Sequence, residues 1–254
     1  MVPARAFPRR LDGNLASLSR RADELTDIRA DLVMHRQLPR QIISAYDSAV
    51  VRAYCRARFT IINPTILDML SLSLRGKRRI LEIGCGFGLF GAYLAARDPS
   101  VRYHGIDLNA KRIVMAREAA GRLGLDNARF DQGDARADLV LDAEYDAVLM
   151  MDLLHHVPDD AKVRLIETAT SRLAPGGHLV MKDITTRPWP KLFFTWALDV
   201  VMTGGFDMWY WDERRFREAV PATWGLEAYP ISDWLPYPHV LYLASRTPPD
   251  AAAL

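Results

Sequence analysis

Three glycines separated by single residues, Gly84, Gly86 and Gly88, follow the apolar run Ile80-Leu81-Glu82-Ile83 and lead into Leu89-Phe90. Lacking Cβ atoms, they can adopt positive φ and let another group come close to the main chain. A helix starting directly after them would present unpaired N–H groups to a polar or anionic ligand. The chemistry this predicts is capture of a small molecule against the backbone. Two common versions of such a loop are absent. G-x-G-x-x-G starting at Gly84 fails because its sixth position is Leu89, and no G-x-x-x-x-G-K-[S/T] occurs.

Carboxylates and histidines follow at ordered positions. Asp107 closes the strand pattern Val101–Asp107 and lies 19 residues past Gly88 (107 − 88), where a doubly wound sheet places an acid for two ribose hydroxyls. Asp134 follows a third strand pattern, Ala128–Gly133. Tyr145–Met151 reads as a fourth, fully buried strand and runs into Asp152-Leu153-Leu154-His155-His156. A histidine titrates near neutrality and can take a proton from a phenol, hydroxyl or amine, so His155 is the candidate base; packing of the strand-to-helix turn is the plainer alternative. Asp183 ends a fifth strand, His178–Ile184, reached from Leu173, the end of a helix, by a Pro-Gly-Gly turn. Cys85 lacks a patterned His or acid partner and reads as a small residue in a crowded loop.

The elements that must hold these groups can be traced in outline. Arg79–Ile83 reads as the first strand and 89–96 as the helix after the glycines. Asn109 is placed to cap a helix to Leu123, with Gly124 ending it. Before them, 21–73 carries apolar residues at three- and four-residue steps, punctuated by Pro39 and Pro64 into two or three helices. After the fifth strand, Trp189–Trp211 is rich in aromatics, with a helix ended by Gly204-Gly205. Asp212 then caps a short helix to Val220, and Gly225–Ile231 and His239–Ser245 read as the last two strands.

This ordered series, Glu82-x-Gly84-x-Gly86-x-Gly88, then Asp107, Asp134, the strand before Asp152 and Pro175-Gly176-Gly177, resembles class I S-adenosylmethionine (SAM)-dependent methyltransferases. The likeness is to the group typified by ubiquinone and menaquinone biosynthesis, and it spans about residues 75–185. It implies an α/β fold: a Rossmann-like, doubly wound seven-stranded sheet with an antiparallel C-terminal edge hairpin and an N-terminal helical cap. The cap would be 1–74, and the catalytic domain 75–254 with an aromatic-rich insertion at about 187–212. The implied cofactor contacts are Glu82, Gly84, Cys85, Gly86, Gly88, Asp107, Leu108, Asp134, Ala135 and Asp152, with S-adenosylhomocysteine (SAH) as product. The acceptor would be a small hydrophobic or aromatic molecule, walled by Tyr46, Trp189, Phe193, Trp196 and Trp209. Tyr54 and Arg56 would help cover the cofactor. Two other readings stay open: a SAM-fold partner protein without turnover, and a nicotinamide-dependent oxidoreductase.

Composition bounds the partners. Thirty-three basic and 31 acidic residues give a net charge of +2, which offers no broad basic face for nucleic acid. The two cysteines are not spaced as a disulfide, and with no secretory signal pattern a cytoplasmic setting is expected. The apolar stretch 192–202 is too short to span a bilayer, which leaves peripheral membrane contact open. Apart from the adjacent His155 and His156 the six histidines are scattered, and no metal site is expected.

Overall fold

The computed structural model describes residues 37–135, 144–187, 189–193, 195–196, 208–231 and 237–246. The readings at 21–36 and at Gly204-Gly205 lie outside them. Seven strands form one sheet: β1 (Arg79–Ile83), β2 (Arg102–Asp107), β3 (Ala128–Gln132), β4 (Tyr145–Met151), β5 (Leu173–Ile184), β6 (Trp224–Pro230) and β7 (His239–Arg246). Their order is β3-β2-β1-β4-β5-β7-β6. β1 to β5 pair in parallel, whereas β7 runs antiparallel between β5 and β6. This is the doubly wound sheet with the antiparallel edge hairpin. The strand order reverses between β1 and β4, so the crevice lies at their carboxyl ends.

The central strands are apolar because both faces are covered. In β4, Ala147 through Met150 are wholly buried. One face carries Ile80, Phe90, Tyr93, Ile113 and Val180 under the helices Pro64–Ser73, Leu89–Arg97 and Ala110–Arg122; the other carries Leu81, Val148, Leu165, Leu179 and Phe216 under Asp159–Ser171 and Glu213–Ala219. Capping sets the helix starts. Asn109 Oδ1 accepts from the N–H groups of Lys111 and Arg112, Asn63 Oδ1 from Ile66 with Pro64 at the first helical position, and Asp212 from Arg215.

The fifth strand corrects the sequence reading. Leu173 does not end a helix: it already pairs with Tyr145, and the ladder resumes at Ala147 with His178. Residues 174–177 therefore bulge within β5, with Gly176 at φ 75° supplying the left-handed turn. Pro-Gly-Gly signals a turn, and the sequence pattern does not distinguish a turn inside a strand from one before it.

Gly88 fixes how the glycine loop meets its helix. It holds φ 76°, and a Cβ there would come within 2.4 Å of the Phe130 ring. Gly88→Ala combines left-handed strain with a clash against a buried ring, for an expected loss of about 2–4 kcal/mol. Urea unfolding measures it; an unchanged midpoint would show that Phe130 simply moves aside.

Candidate functional site

The glycine loop is tied to its neighbours by main-chain bonds. The N–H groups of Gly84 and Cys85 both donate to the Ile106 carbonyl, at 2.7 and 3.0 Å. Asp107, at the end of β2, then braces the loop: its Oδ2 accepts from Gly86 N at 2.8 Å and its Oδ1 from Asn109 N at 2.8 Å. A Cβ on Gly86 would meet nothing within 4 Å, so the main chain there faces open space. That space is a cavity of about 890 Å³. It is lined by Glu82, Gly84, Cys85, Gly86, Phe87, Asp107, Leu108, Asp134 and Ala135, and also by Arg58, Asp152, His155, His156, Tyr237 and His239.

The predicted residues divide between lining and support. Gly88 is not part of the lining and acts through the loop geometry. Cys85 is buried, and burial pushes its thiol far above the ordinary range, so it is no nucleophile. Tyr46 does not line the cavity; its hydroxyl donates to the Phe87 carbonyl at 2.6 Å and pins residues 37–46 to the glycine loop. Tyr54 does line it, with its ring 5.1 Å from Phe87. Arg56 is exposed, and Arg58, two residues on, is the arginine that reaches the cavity. Trp189 and Phe193 stack on each other with 72% and 58% of their surface exposed, Trp196 sits beside Phe193, and none of the three lines the cavity. Trp209 approaches by its main chain: its N–H donates to the His155 carbonyl at 2.9 Å, while its own carbonyl accepts from Lys162. The aromatic ring stacked over His155 is that of Tyr210, which the sequence reading did not single out.

Asp152 holds φ 53°, the one positive value at a non-glycine among the described residues. The turn folds its carboxylate back between two cations, Arg58 at 2.8 Å and Lys182 at 2.5 Å. Burial opposes ionisation, yet Lys182 and Arg58 hold the Asp152 carboxyl far below the usual range. Lys182 is itself wholly buried in β5, where burial lowers its pKa and Asp152 resists. A lone lysine in the apolar run Leu179–Ile184 was the sequence signal for this pair.

Glu82 shows the reverse balance. Its side chain is 1% exposed, accepts from the Tyr103 hydroxyl, and burial pushes its carboxyl up to about 8. A folded-state pKa above the usual 4.5 means that stability present in acid is lost as pH climbs from about 4.5 through about 8.

His155 and Asp183 form a buried pair. His155 Nδ1 lies 2.5 Å from Asp183 Oδ1, and Asp183 Oδ2 accepts from the His155 main-chain N–H at 3.2 Å. With Nδ1–H donated to the carboxylate, Nε2 is the acceptor nitrogen of the ring. His156 packs 4.0 Å from His155, and burial followed by the His155 charge lowers it to about 4. Among the described residues no group of three His, Cys, Asp or Glu could hold a metal ion, and no helix is long and apolar enough to cross a membrane.

Comparison with known proteins converges on this region. The family model described as a methyltransferase domain matches residues 80–177. A ubiquinone biosynthesis O-methyltransferase from Alkalilimnicola ehrlichii is 33% identical over 135 residues, 52% of this chain and 53% of that protein. The chain spans between 25% and 60% of the length of such curated relatives. Among solved structures, the SAM-dependent methyltransferase SibL superposes with a TM-score of 0.62 at 22% identity, covering 81% of this chain and 61% of that one. Magnesium protoporphyrin IX methyltransferase from Synechocystis, solved with SAH, gives 0.59 at 17% identity, covering 79% and 88%.

Proposed function

We propose that this chain, which carries a class I SAM-dependent methyltransferase domain, methylates an oxygen of a small, mainly apolar acceptor. One observation carries the reading: the glycine loop, Asp107 and Asp134 share a single cavity with the His155–Asp183 pair. The residues suit the cofactor. The cavity lies within the roughly 300–1,000 Å³ of small-molecule sites, Gly86 offers bare main chain, and Asp107 presents a braced carboxylate for a ribose diol. When bound, SAM supplies a methyl group already activated by its sulfonium charge.

The chain's own residues then position and deprotonate. Gly84–Phe87, Asp107, Asp134 and Ala135 hold the nucleoside side of the cavity, and Glu82, Arg58 and Asp152 border the rest. Alignment of donor and acceptor by such a pocket is worth on the order of 7–11 kcal/mol. His155 Nε2 takes the proton from the acceptor hydroxyl, while Asp183 fixes the tautomer and balances the charge that develops on the ring. The relatives named for O-methylation support oxygen as the acceptor atom, and the apolar walls from Tyr54, Ile61, Phe90, Val157, Leu165 and Ile184 support an apolar acceptor body.

SAH titration by calorimetry, followed by incubation with methyl-labelled SAM and an organic extract of cells, tests this. Saturable SAH binding and a labelled organic-soluble product are expected. Binding without any transfer would leave a cofactor-binding partner protein; no binding would remove the cofactor assignment altogether. Glu82 adds a readout. Near pH 7 its carboxyl holds a proton that the sulfonium cation of SAM in the same cavity disfavours, so SAM binding is expected to release a proton that binding of the uncharged thioether SAH does not. Heats measured in buffers of different ionisation enthalpy would show it, and Glu82→Gln would abolish it. A buffer-independent heat would mean that Glu82 is already ionised.

A further inference from the structure

β7 runs antiparallel to β5, so its first residue, His239, sits at the same sheet edge as the carboxyl ends of the parallel strands. His239 is 3% exposed and lines the cavity, stacked on Tyr237 at 5.0 Å. Neither of its ring nitrogens has a hydrogen-bond partner among the described residues. A buried imidazole without partners is costly, and such groups are rare unless something else satisfies them. The ring borders the cavity, so a group bound there is the nearest source of such a partner.

The register gives it a distinct place from the His155–Asp183 pair. Asp183 lies opposite Val240 and Ile184 opposite His239. Successive strand residues point to opposite faces, and Val240 and Leu241 accordingly belong to the two separate cores. His155 is therefore held from one face of the sheet edge and His239 from the other, and both reach one cavity. Burial, then the nearby Lys182 charge, lowers His239 to about 2, so the ring is neutral, with one donor and one acceptor nitrogen.

We propose that His239 is a specificity-determining residue that hydrogen-bonds a second, neutral oxygen substituent of the acceptor, next to the oxygen that is methylated. The inference rests on the methyltransferase reading. A neutral imidazole matches a hydroxyl, which donates and accepts, better than a carboxylate or an ammonium group. A site built to hydrogen-bond a hydroxyl rejects the analogue lacking it, because its own buried polar group is then left unpaired.

The test compares wild type with His239→Phe, which keeps a ring against Tyr237 and removes both nitrogens, and with His239→Asn, which restores a donor and an acceptor. SAH affinity is measured by calorimetry, and kcat/KM for 4-octylcatechol and 4-octylphenol with SAM. Wild type is expected to prefer the catechol by about tenfold or more. His239→Phe should erase that preference while leaving SAH affinity unchanged and thermal stability equal or higher, and His239→Asn should restore part of it. Three results would overturn the proposal: an unchanged preference in His239→Phe, a matching loss of SAH affinity, which would put the imidazole on the cofactor, or normal SAH binding with neither phenol methylated. Absence of SAH binding to the wild type would instead overturn the methyltransferase reading itself.

Discussion

Asp107→Ala is expected to weaken SAH binding at least a hundredfold. Hydrogen bonds to a charged group contribute about 1.5–3 kcal/mol each. Two ribose hydroxyls would thus lose about 3–6 kcal/mol, or ~10²–10⁴ in affinity at about 1.4 kcal/mol per decade. The alanine also removes the brace on Gly86 N, so the loop loses the bond that aims its bare main chain into the cavity. The damage is local: Asp107 contributes no side chain to either core cluster, and Ile106 O still holds Gly84 and Cys85. Thermal unfolding should therefore move far less than affinity. Asp107→Asn keeps one acceptor oxygen and places a donor where the other stood, so it should fall between wild type and alanine. Undiminished SAH affinity in Asp107→Ala would show that the nucleoside lies elsewhere.

The fold and the gathering of the glycine loop, Asp107 and Asp134 at one cavity were legible because they depend on local signals. Glycines at alternate positions, an acid at the end of each of two strands and an apolar run for β4 each report on a few neighbouring residues. The sheet's order adds only the rule that ligands sit at the switch point. The Arg58, Lys182 and His239 contributions were not legible, since no short pattern encodes them. Arg58 reaches Asp152 across 94 residues and Lys182 across 30. His239 reads as an isolated histidine until β7 is known to run antiparallel into the site edge. The aromatic stretch misled for a related reason. Hydrophobic composition at 189–196 cannot tell a pocket wall from an exposed face, and Trp189 and Phe193 are exposed. The ring that does meet His155 belongs to Tyr210, in a segment anchored by Lys162 to the Trp209 carbonyl and by Asp159 to the Trp211 indole at 2.8 Å.

His155→Ala is expected to lower kcat by about 10²–10⁴, the range that a positioned general base contributes, with SAH affinity unchanged. The ring lines the same cavity but is not among the residues proposed to hold the nucleoside, so SAH affinity should not depend on it. Asp183→Asn separates chemistry from packing. The amide is nearly isosteric, and its nitrogen can donate to Nδ1, which then becomes the acceptor and moves the proton to Nε2, the nitrogen that must receive one. Turnover should fall by a similar factor while KM for the acceptor changes little, because the ring stays in place in the wrong tautomer. Protonation disables a base, so the wild-type kcat/KM profile should drop on its acid side, and His155→Ala should flatten that limb. A structural role predicts otherwise: loss of thermal stability in both variants, with turnover scaling with the folded fraction and the pH profile intact. If His155→Ala retains SAH binding and turns over within twofold of wild type, the acceptor loses its proton to solvent, and the catalytic contribution of this pocket reduces to alignment.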